Sequence, residues 1–326
     1  MQYKKVPRIE EKISAIGVGC WNFGGDWDTS NDENAMKIVH AAIDRGINLF
    51  DVAPVYGWHH AEYVLGKALK GGLREKVVIA SKCGLVWNDK HETHNDLSRA
   101  NILSEIDGSL SRLQTDYIDI YQLHWPDPKT PIEETAQVLA EIKKAGKIRH
   151  VGLSNFSQKD VETFMTMIDI DEQQGLYTMF ERNTSSYHGI PLAYKTEKEM
   201  LPNVHRLGQA FLPYSPLMQG LLAGKFQNGI NFSARDIRSE NPKFGAGRFE
   251  VYYEGYKRVQ KIADEMEKPI AQVALNWLRQ NEDVTSIING VSSIEQLDKN
   301  VAAAEWDIPD EYMAKINAAT AEFVDM

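Results

Sequence analysis

Short runs of β-branched and apolar residues alternate with longer amphipathic stretches along the whole chain. This alternation predicts strand–helix units around a parallel sheet. The predicted strands span 47–50, 77–81, 117–123, 148–153, 174–177, 210–214 and 285–288, and an opening run at 13–18 suits a strand or part of a hairpin. The predicted helices span 32–45, 61–69, 98–113, 131–145, 159–168, 195–206, 251–267 and 270–280.

The predicted helix 32–45 has its apolar residues on one face. Ala35, Ile38, Val39 and Ala42 recur at helical spacing, and Gly46 ends the pattern. About eight such units favour a single (β/α)₈ TIM barrel domain over residues 1–326, with extra helices. A doubly wound sheet is the alternative, but no Gly-x-Gly-x-x-Gly turn follows any early strand. A long irregular stretch, 219–248, predicts a functional loop.

Composition narrows the class of protein further. The 326 residues are 43% hydrophobic and 25% charged, as in globular proteins, and the formal net charge of −10 disfavours nucleic-acid or anionic-membrane partners. Two cysteines, Cys20 and Cys83, make no disulfide framework, so we expect a cytoplasmic protein. The first residues lack the apolar core of a signal peptide, and no apolar run approaches the length of a membrane helix. A small-molecule partner is expected.

Polar residues stand where the predicted strands end, which in a barrel is the active face. They are Asp51, Tyr56, Lys82, His124, Ser154, Asn155, Tyr214 and Ser215, with Gln174 inside a strand. Taken singly, each has a structural explanation, such as a turn cap for Asp51, a surface lysine for Lys82 or a core histidine for His124. Their common position at one end of the barrel favours a functional set.

The set has a specific chemistry. A buried Lys82 requires a counter-ion, and Asp51 follows the neighbouring strand. We expect the ammonium to lower the pKa of the Tyr56 phenol, and His124 to orient a carbonyl oxygen. Together these groups would form a general acid that protonates a developing alkoxide.

Other chemistries fit the sequence poorly. No Ser-centred nucleophile motif is present. His91 and His94 have ligand-like spacing but lie in a polar loop without a partner cluster, and His59 and His60 suit a pocket wall better than a metal site. We therefore expect no metal.

Several motifs together resemble the aldo-keto reductase superfamily. They are "GINLFDVAPVYG" followed by "AEYVLG", "VVIASK", "SLSRLQTDYIDIYQLHWPDP" and "GKIRHVGLSNF", and the resemblance extends over about residues 13–304. It implies a (β/α)₈ barrel that binds an extended nicotinamide dinucleotide without a Rossmann domain. It also implies a catalytic tetrad of Asp51, Tyr56, Lys82 and His124, with Tyr56 as the general acid or base of hydride transfer between carbonyls and alcohols.

The resemblance also implies a cofactor site. Its residues would be Trp21, Asp51, Ser154, Asn155, Gln174, Tyr214, Ser215, Pro216, Leu217, Gly220, Lys225, Arg235, Gly290, Ser292, Gln296 and Asn300. Ser154, Asn155 and Gln174 would hold the carboxamide, and Tyr214 would stack on the nicotinamide ring. No basic residue follows the last strand before Lys299, which departs from much of the family. Lys225 and Arg235 in the long loop match an alternative phosphate grip, so NADP(H) is the expected cofactor and NAD(H) the alternative.

Two branches of the superfamily resemble this chain. One contains bacterial inositol-operon-type reductases and the other potassium-channel β-subunits, so the alternatives are a metabolic enzyme and a cofactor-bearing redox sensor with little turnover. The histidine in "LHWPDP", His124, favours the enzyme. A third alternative is a barrel without redox chemistry.

Three local features complete the expectations. Trp21, Trp58, Trp87 and Trp125 follow predicted strand ends and would surround a substrate pocket that also contains Tyr56 and His124. Pro54 is unusual for the family, and it raises the question of how the loop places Tyr56. The segment 183–208 is also unusual; the sequence assigns it no definite role, and covering the pocket is the one it suggests.

Overall fold

The computed structural model describes residues 1–25, 31–227, 229–232 and 236–326. Its main sheet contains eight parallel strands: β1 (Ile16–Gly19), β2 (Leu49–Asp51), β3 (Val78–Cys83), β4 (Ile118–Leu123), β5 (Ile148–Ser154), β6 (Glu172–Leu176), β7 (Ala210–Tyr214) and β8 (Ile287–Gly290). Each strand from β1 to β6 pairs with the next one along the chain, and β8 pairs with β1. The Thr285 N–H donates to the Phe211 carbonyl at 2.9 Å, which brings β7 and β8 together and nearly closes the barrel.

The helices surround this sheet. They are α1 (Asp32–Asp44), α2 (His60–Ala68), α3 (Arg99–Leu113), α4 (Ile132–Lys144), α5 (Gln158–Met165), α6 (Leu201–Leu207), α7 (Arg248–Glu265), α8 (Ile270–Arg279), α9 (Ile294–Ala302) and α10 (Asp310–Ala319). Helices α9 and α10 were not expected from the sequence. Leu297 and Asn300 are the buried residues of α9, and Ile316 is the buried residue of α10, so neither carries a broad apolar stripe.

The predicted strands and helices are present, with bounds shifted by a few residues. The opening run 13–18 is divided between two elements, because Ile9–Ser14 pairs with Tyr3–Val6 in a hairpin and β1 begins at Ile16. The helix expected at 195–206 is a π-helical turn, Thr196–Met200, followed by α6. The spacing of hydrophobic residues therefore predicts the strands and the helices. It does not predict the break between the hairpin and β1 or the π-helical turn before α6.

Two apolar layers hold the barrel together. The outer layer lies between strands and helices, and the inner layer fills the barrel with residues such as Leu49, Val78, Ile120 and Leu212. Ile9 and Ile13 of the N-terminal hairpin join the inner layer and close the end where the strands begin. The opposite end of the barrel is therefore the open one, and the polar residues of the predicted site lie there.

Two small hairpins stand over this open end. Leu85–Trp87 pairs with Thr93–Asn95 after β3, and Ser186–Tyr187 pairs with Ile190–Pro191 after β6. Within the described parts of the chain, no helix has the length and hydropathy to cross a membrane.

Candidate active site

Asp51, Tyr56 and Lys82 meet at the carboxyl ends of β2 and β3. Lys82 is fully buried, and its Nζ donates to both carboxylate oxygens of Asp51 at 2.8 Å. The same ammonium donates to the Val52 carbonyl at 3.1 Å and to the Tyr56 hydroxyl at 3.2 Å. A buried ammonium is stable only when a carboxylate balances its charge and its N–H groups all have hydrogen-bond acceptors. The pairing of Asp51 with Lys82 expected from the sequence is confirmed.

The loop that contains Pro54 places the phenol beside this pair. Residues 51–54 are buried. The Tyr56 N–H donates to the Ala53 carbonyl at 3.1 Å, and the His59 N–H donates to the Pro54 carbonyl at 2.6 Å. In this turn the Pro54 main chain acts as a hydrogen-bond acceptor, so the N–H that proline lacks is not required. The turn directs Tyr56 towards Lys82.

The electrostatics of Tyr56 differ from the expectation. Burial raises the pKa of its phenol well above the usual 10, and the negative charge of Asp51 and the nearby Cys20 raise it further. The expectation of a lowered pKa for this phenol is wrong, because burial, the largest cause, and the charge of Asp51 both raise it although Lys82 lies beside it. The phenol is a protonated group at neutral pH.

His124 lies at the end of β4, with its ring edge-on to the Tyr56 ring at a centroid distance of 6.0 Å. Burial lowers the pKa of His124 well below 6.5, and the charge of Lys82 acts in the same direction. The imidazole is therefore neutral at physiological pH and has one N–H to donate. The His124 main chain is held on both sides, since its N–H donates to the Cys83 carbonyl at 2.9 Å and its carbonyl accepts from Asn155 Nδ2 at 3.2 Å.

The three predicted carboxamide residues also lie together. Asn155 Nδ2 donates to Ser154 Oγ at 3.0 Å, and Gln174 Nε2 donates to Asp51 Oδ2 at 2.9 Å. Asn155 has a left-handed backbone with φ of 68°, a conformation that asparagine tolerates well. Gln174 therefore belongs to the hydrogen-bond network of the tetrad, a role that sequence reasoning missed.

Two further tyrosines contact this group. Tyr214 and Tyr194 each donate a phenol O–H to Asn155 Oδ1, at 2.8 Å and 3.1 Å. Tyr214 was expected at this site, and Tyr194 was not. Tyr194 belongs to the segment 183–208, where its sequence context contains no strand end or known motif.

The segment 183–208, to which the sequence assigns no definite role, lies over part of the site. Tyr187 donates to or accepts from Ser215 Oγ at 3.0 Å, and its ring meets the Tyr214 ring at 5.0 Å. The next residue, His188, lies 6.3 Å from the Trp21 ring. Burial lowers the pKa of His188 to about 4, so the ring is neutral and its Nε2 accepts from Gln219 Nε2 at 2.9 Å.

The loop after β7 contains an unusual run of left-handed residues. Met218, Gln219 and Gly220 all have positive φ, as does Ser215, while Pro216 is buried and Leu217 partly buried. Successive left-handed residues form concave backbone surfaces of the type that bind phosphate. The side chain of Lys225 packs here, with Cδ 2.9 Å from the position that a Cβ on Gly220 would take.

Of the two basic residues predicted to bind the cofactor phosphate, only Lys225 belongs to the described residues. Arg235 lies outside the described residues. Lys225 has a lowered pKa because of burial and the charge of Arg238. Arg238 Nε donates to Asp236 Oδ1 at 2.9 Å. Lys225 therefore lies near an arginine–aspartate ion pair whose two charges largely cancel.

The last predicted cofactor residues lie between β8 and α9. Ser292 Oγ donates to Gln296 Oε1 at 2.9 Å, and Asn300 is buried one turn later. Gly290 is exposed, and a Cβ added there would contact nothing, so this strand end is open. Asn22 Nδ2 donates to the Val291 carbonyl, and Asn22 Oδ1 is buried without a partner within the described structure. A buried acceptor near the ends of β1 and β8 therefore has no hydrogen-bond donor among the described residues.

The predicted tryptophans occupy several positions around the opening. Trp21 stacks on Tyr56 with ring centroids 5.9 Å apart, and Trp58 and Trp87 meet edge-on at 5.2 Å. Trp125 is half-buried against the outer apolar layer. His91 stacks on Trp58 at 4.1 Å, so this histidine belongs to the aromatic group.

Metal binding finds no support among the residues described. No group of three or more histidine, cysteine or acidic side chains with suitable geometry occurs in residues 1–25, 31–227, 229–232 and 236–326. His60 Nε2 pairs instead with Asp32 Oδ1 at 2.7 Å.

The donor set fits a nicotinamide cofactor. A hydroxyl and two carboxamides, from Ser154, Asn155 and Gln174, border the tetrad, and Tyr214 donates to Asn155. The left-handed turn follows Tyr214 along the chain, and the end of β8 is open at Gly290. This order, from amide groups to an aromatic ring to a concave backbone, matches the carboxamide, ring and phosphates of a dinucleotide.

The comparisons with known proteins agree with the barrel and the polar cluster. The sequence profile described as the Aldo/keto reductase family matches residues 15–321. The chain is 35% identical to aldo-keto reductase YhdN of Bacillus subtilis (strain 168) over 97% of this chain and 93% of that protein. It is 31% identical to the NADH-specific methylglyoxal reductase of Escherichia coli (strain K12) over 94% and 95% of the two chains.

Solved structures show the same relationship. The glycerol dehydrogenase AKR11B4 from Gluconobacter oxydans superposes with a TM-score of 0.87 at 32% identity, covering 99% of this chain and 96% of that one. The holo form of aldo-keto reductase AKR11C1 from Bacillus halodurans gives a TM-score of 0.79 at 25% identity, covering 98% and 96%.

A (β/α)₈ barrel with a lysine–carboxylate pair beside a tyrosine at its open end defines an aldo-keto reductase type of oxidoreductase. The chain belongs to the Aldo/keto reductase family.

Proposed function

We propose that the protein reduces aldehydes or ketones to alcohols, and catalyses the reverse reaction, with Tyr56 as the general acid or base. The observation that carries this proposal is the 3.2 Å contact between the Tyr56 hydroxyl and Lys82 Nζ, an ammonium that Asp51 holds through both oxygens. A bound nicotinamide cofactor would supply the hydride to the carbonyl carbon.

The protein's own residues would handle the oxygen. As the alkoxide develops, Tyr56 donates its phenolic proton to that oxygen, and the adjacent Lys82 stabilises the phenolate left behind. His124 donates its single N–H to the same oxygen and sets the orientation of the carbonyl. The raised pKa of Tyr56 keeps it protonated, which suits reduction.

For the cofactor we propose a preference for NADP(H), with NAD(H) as the alternative. The support is Lys225 beside the left-handed turn, together with Arg235 as a second predicted cation. The Ser292–Gln296 pair would add polar contacts near the 2′-phosphate, and Asn300 would lie near the adenine. One similar protein carries the name NADH-specific, so the relatives do not decide this preference.

The proposed substrates are small carbonyl compounds and the corresponding alcohols. Two similar proteins act, by their names, on methylglyoxal and on glycerol. The neutral aromatic surroundings formed by Trp21, Trp58 and Trp87 suit uncharged substrates. The buried free thiols Cys20 and Cys83 agree with the proposed cytoplasmic location.

The test is a panel of carbonyl compounds assayed with the purified protein, with NADPH and NADH in parallel and absorbance at the reduced nicotinamide band as the readout. We expect turnover of small aldehydes, with a lower KM for NADPH. Turnover with an equal or lower KM for NADH would refute the cofactor preference and leave the reaction class intact. Tight cofactor binding without turnover of any compound would instead support the redox-sensing subunit.

A further inference from the structure

The Tyr194 hydroxyl joins the ends of three neighbouring strands. It accepts the Leu176 N–H at the end of β6 at 2.9 Å, and it donates to Asn155 Oδ1 just after β5 at 3.1 Å. The other end of the Asn155 side chain donates to the His124 carbonyl after β4. One buried phenol is thus two hydrogen bonds away from the main chain of a predicted catalytic residue.

The donors and acceptors fix one orientation of the Asn155 amide. Its oxygen receives the phenol protons of Tyr194 and Tyr214, and its nitrogen donates to the His124 carbonyl and Ser154 Oγ. A flipped amide would bring Oδ1 against the His124 carbonyl, where two acceptors repel each other. Because the Tyr194 hydroxyl already accepts the Leu176 N–H, its single proton remains available for Asn155.

We propose that Tyr194 is a positioning residue of the active site, whose hydroxyl holds the Asn155 carboxamide and, through it, the main chain of His124. This inference rests on the proposed function. It assigns a role to the segment 183–208, which supplies a buried support as well as a cover. Tyr194 is only 2% exposed, so its effect on the reaction is indirect.

Tyr177 offers a matched control. It is 1% exposed, it lies close to Tyr194 along the same connection, and its hydroxyl also makes a buried hydrogen bond, to Glu197 Oε1 at 2.6 Å. Glu197 lies in the π-helical turn Thr196–Met200, and among the described residues the Tyr177 hydroxyl makes no hydrogen bond to Asn155 or His124. Tyr177→Phe therefore removes a hydroxyl of similar burial that makes none of the hydrogen bonds between Tyr194, Asn155 and His124.

The experiment compares Tyr194→Phe with Tyr177→Phe in two backgrounds, the native chain and Asn155→Gly. Glycine tolerates the left-handed backbone at position 155 and removes the amide. Phenylalanine keeps the ring of Tyr194, so the fold should persist. Tyr194→Phe removes both the hydrogen bond to Asn155 and the one from the Leu176 N–H. In the native background we expect kcat/KM to fall about tenfold, the effect of losing the Asn155 hydrogen bond at about 1.4 kcal/mol. In Asn155→Gly the same change should have no further effect, because nothing remains to be positioned.

Several results would overturn the proposal. They are an equal loss from Tyr194→Phe in both backgrounds, the absence of a loss in the native background, and an equal loss from Tyr177→Phe. The dissociation constant of the nicotinamide cofactor, measured by quenching of tryptophan fluorescence, is read out in parallel and should show the same dependence on Asn155. If the native protein binds cofactor but turns over no carbonyl, the proposed function fails, and the affinity pattern alone then supports or overturns the role of Tyr194.

Discussion

The Tyr56 phenol has a raised pKa, although a cation lies within hydrogen-bonding distance of its oxygen. Burial and the charge of Asp51 raise the pKa of the phenol, while Lys82 Nζ lies 3.2 Å from its oxygen. The lysine and the aspartate form a buried pair with little net charge, so the phenol gains a donor to its oxygen without becoming strongly acidic. This state is suited to giving a proton to an alkoxide, which is a far stronger base than a phenolate.

These properties predict different pH profiles for the two directions. In reduction the required form of Tyr56 is protonated, and the lowered pKa of His124 keeps its ring neutral, so kcat/KM should be flat between about pH 6 and 9. In oxidation the required form is the phenolate, whose fraction rises about tenfold per pH unit below the pKa.

Steady-state kinetics in both directions across this pH range provide the measurement. A reduction rate that falls between pH 6 and 9, or an oxidation rate that levels off near neutral pH, would show a phenol of lowered pKa and contradict the assignment.

At the residue scale, the sequence predicted the tetrad but not its electrostatics. Asp51, Lys82 and His124 are recognisable because each ends a strand run, and Tyr56 because it follows one closely. The compensation of Lys82 by Asp51, and the second contact of Asp51 with Gln174, depend on distances across the barrel. Such distances are not encoded in local spacing, so the direction of the Tyr56 pKa could not be predicted from the residues alone.

At the scale of elements, the turn between β2 and α2 fixes the phenol. Gly57, Trp58 and His59 are three successive left-handed residues, with φ of 59°, 54° and 81°. Gly57 also lies directly against the backbone of Gly24, in the 3₁₀ turn that contains Trp21. The turn therefore connects the Tyr56 loop to the stacked Trp21 ring.

Gly57→Ala should distort this turn. An added Cβ would lie 1.8 Å from the Gly24 carbonyl oxygen, and main chain cannot move aside as a flexible side chain does. Together with the cost of a left-handed alanine, we expect the melting temperature to fall by more than about 5 °C. Activity should fall as well, because Tyr56 is the preceding residue.

Gly71→Ala provides the control for backbone strain. Gly71 also has a positive φ, 74°, but an added Cβ there contacts nothing within 4 Å. Its melting temperature should fall by only about 2 °C, the effect of left-handed strain alone, and its activity should be unchanged. Equal losses in the two variants would show that the contact with Gly24 is unimportant.

The hydrophobic period predicted most strands and helices of the fold. It failed where burial is sparse, as in α9 and α10, and where short hairpins rise over the site, as at Leu85–Trp87 and Ser186–Tyr187. These hairpins are stabilised by contacts with other loops, for example Tyr187 with Ser215, and so leave no local signal. Tyr194 was missed for the same reason.

At the scale of the whole molecule, the hairpin that closes the barrel and the proposed active site lie at opposite ends of the barrel. The N-terminal hairpin closes the end where strands begin, with Ile9 and Ile13 in the inner apolar layer. The buried polar network of Asp51, Lys82 and Gln174 lies at the other end. A substitution at the open end that removes one polar atom and leaves the backbone and the buried Lys82–Asp51 pair intact, such as Tyr56→Phe, should therefore alter the reaction with limited effect on folding.

The most direct test is Tyr56→Phe, assayed for hydride transfer from the bound reduced cofactor to a carbonyl substrate in a single turnover. Phenylalanine keeps the ring that stacks on Trp21 and removes only the proton donor. We predict a rate about a hundred to ten thousand times lower than that of the native protein, the usual contribution of general acid catalysis, with unchanged cofactor affinity. A variant that transfers hydride at the native rate would contradict the assignment of Tyr56 as the proton donor.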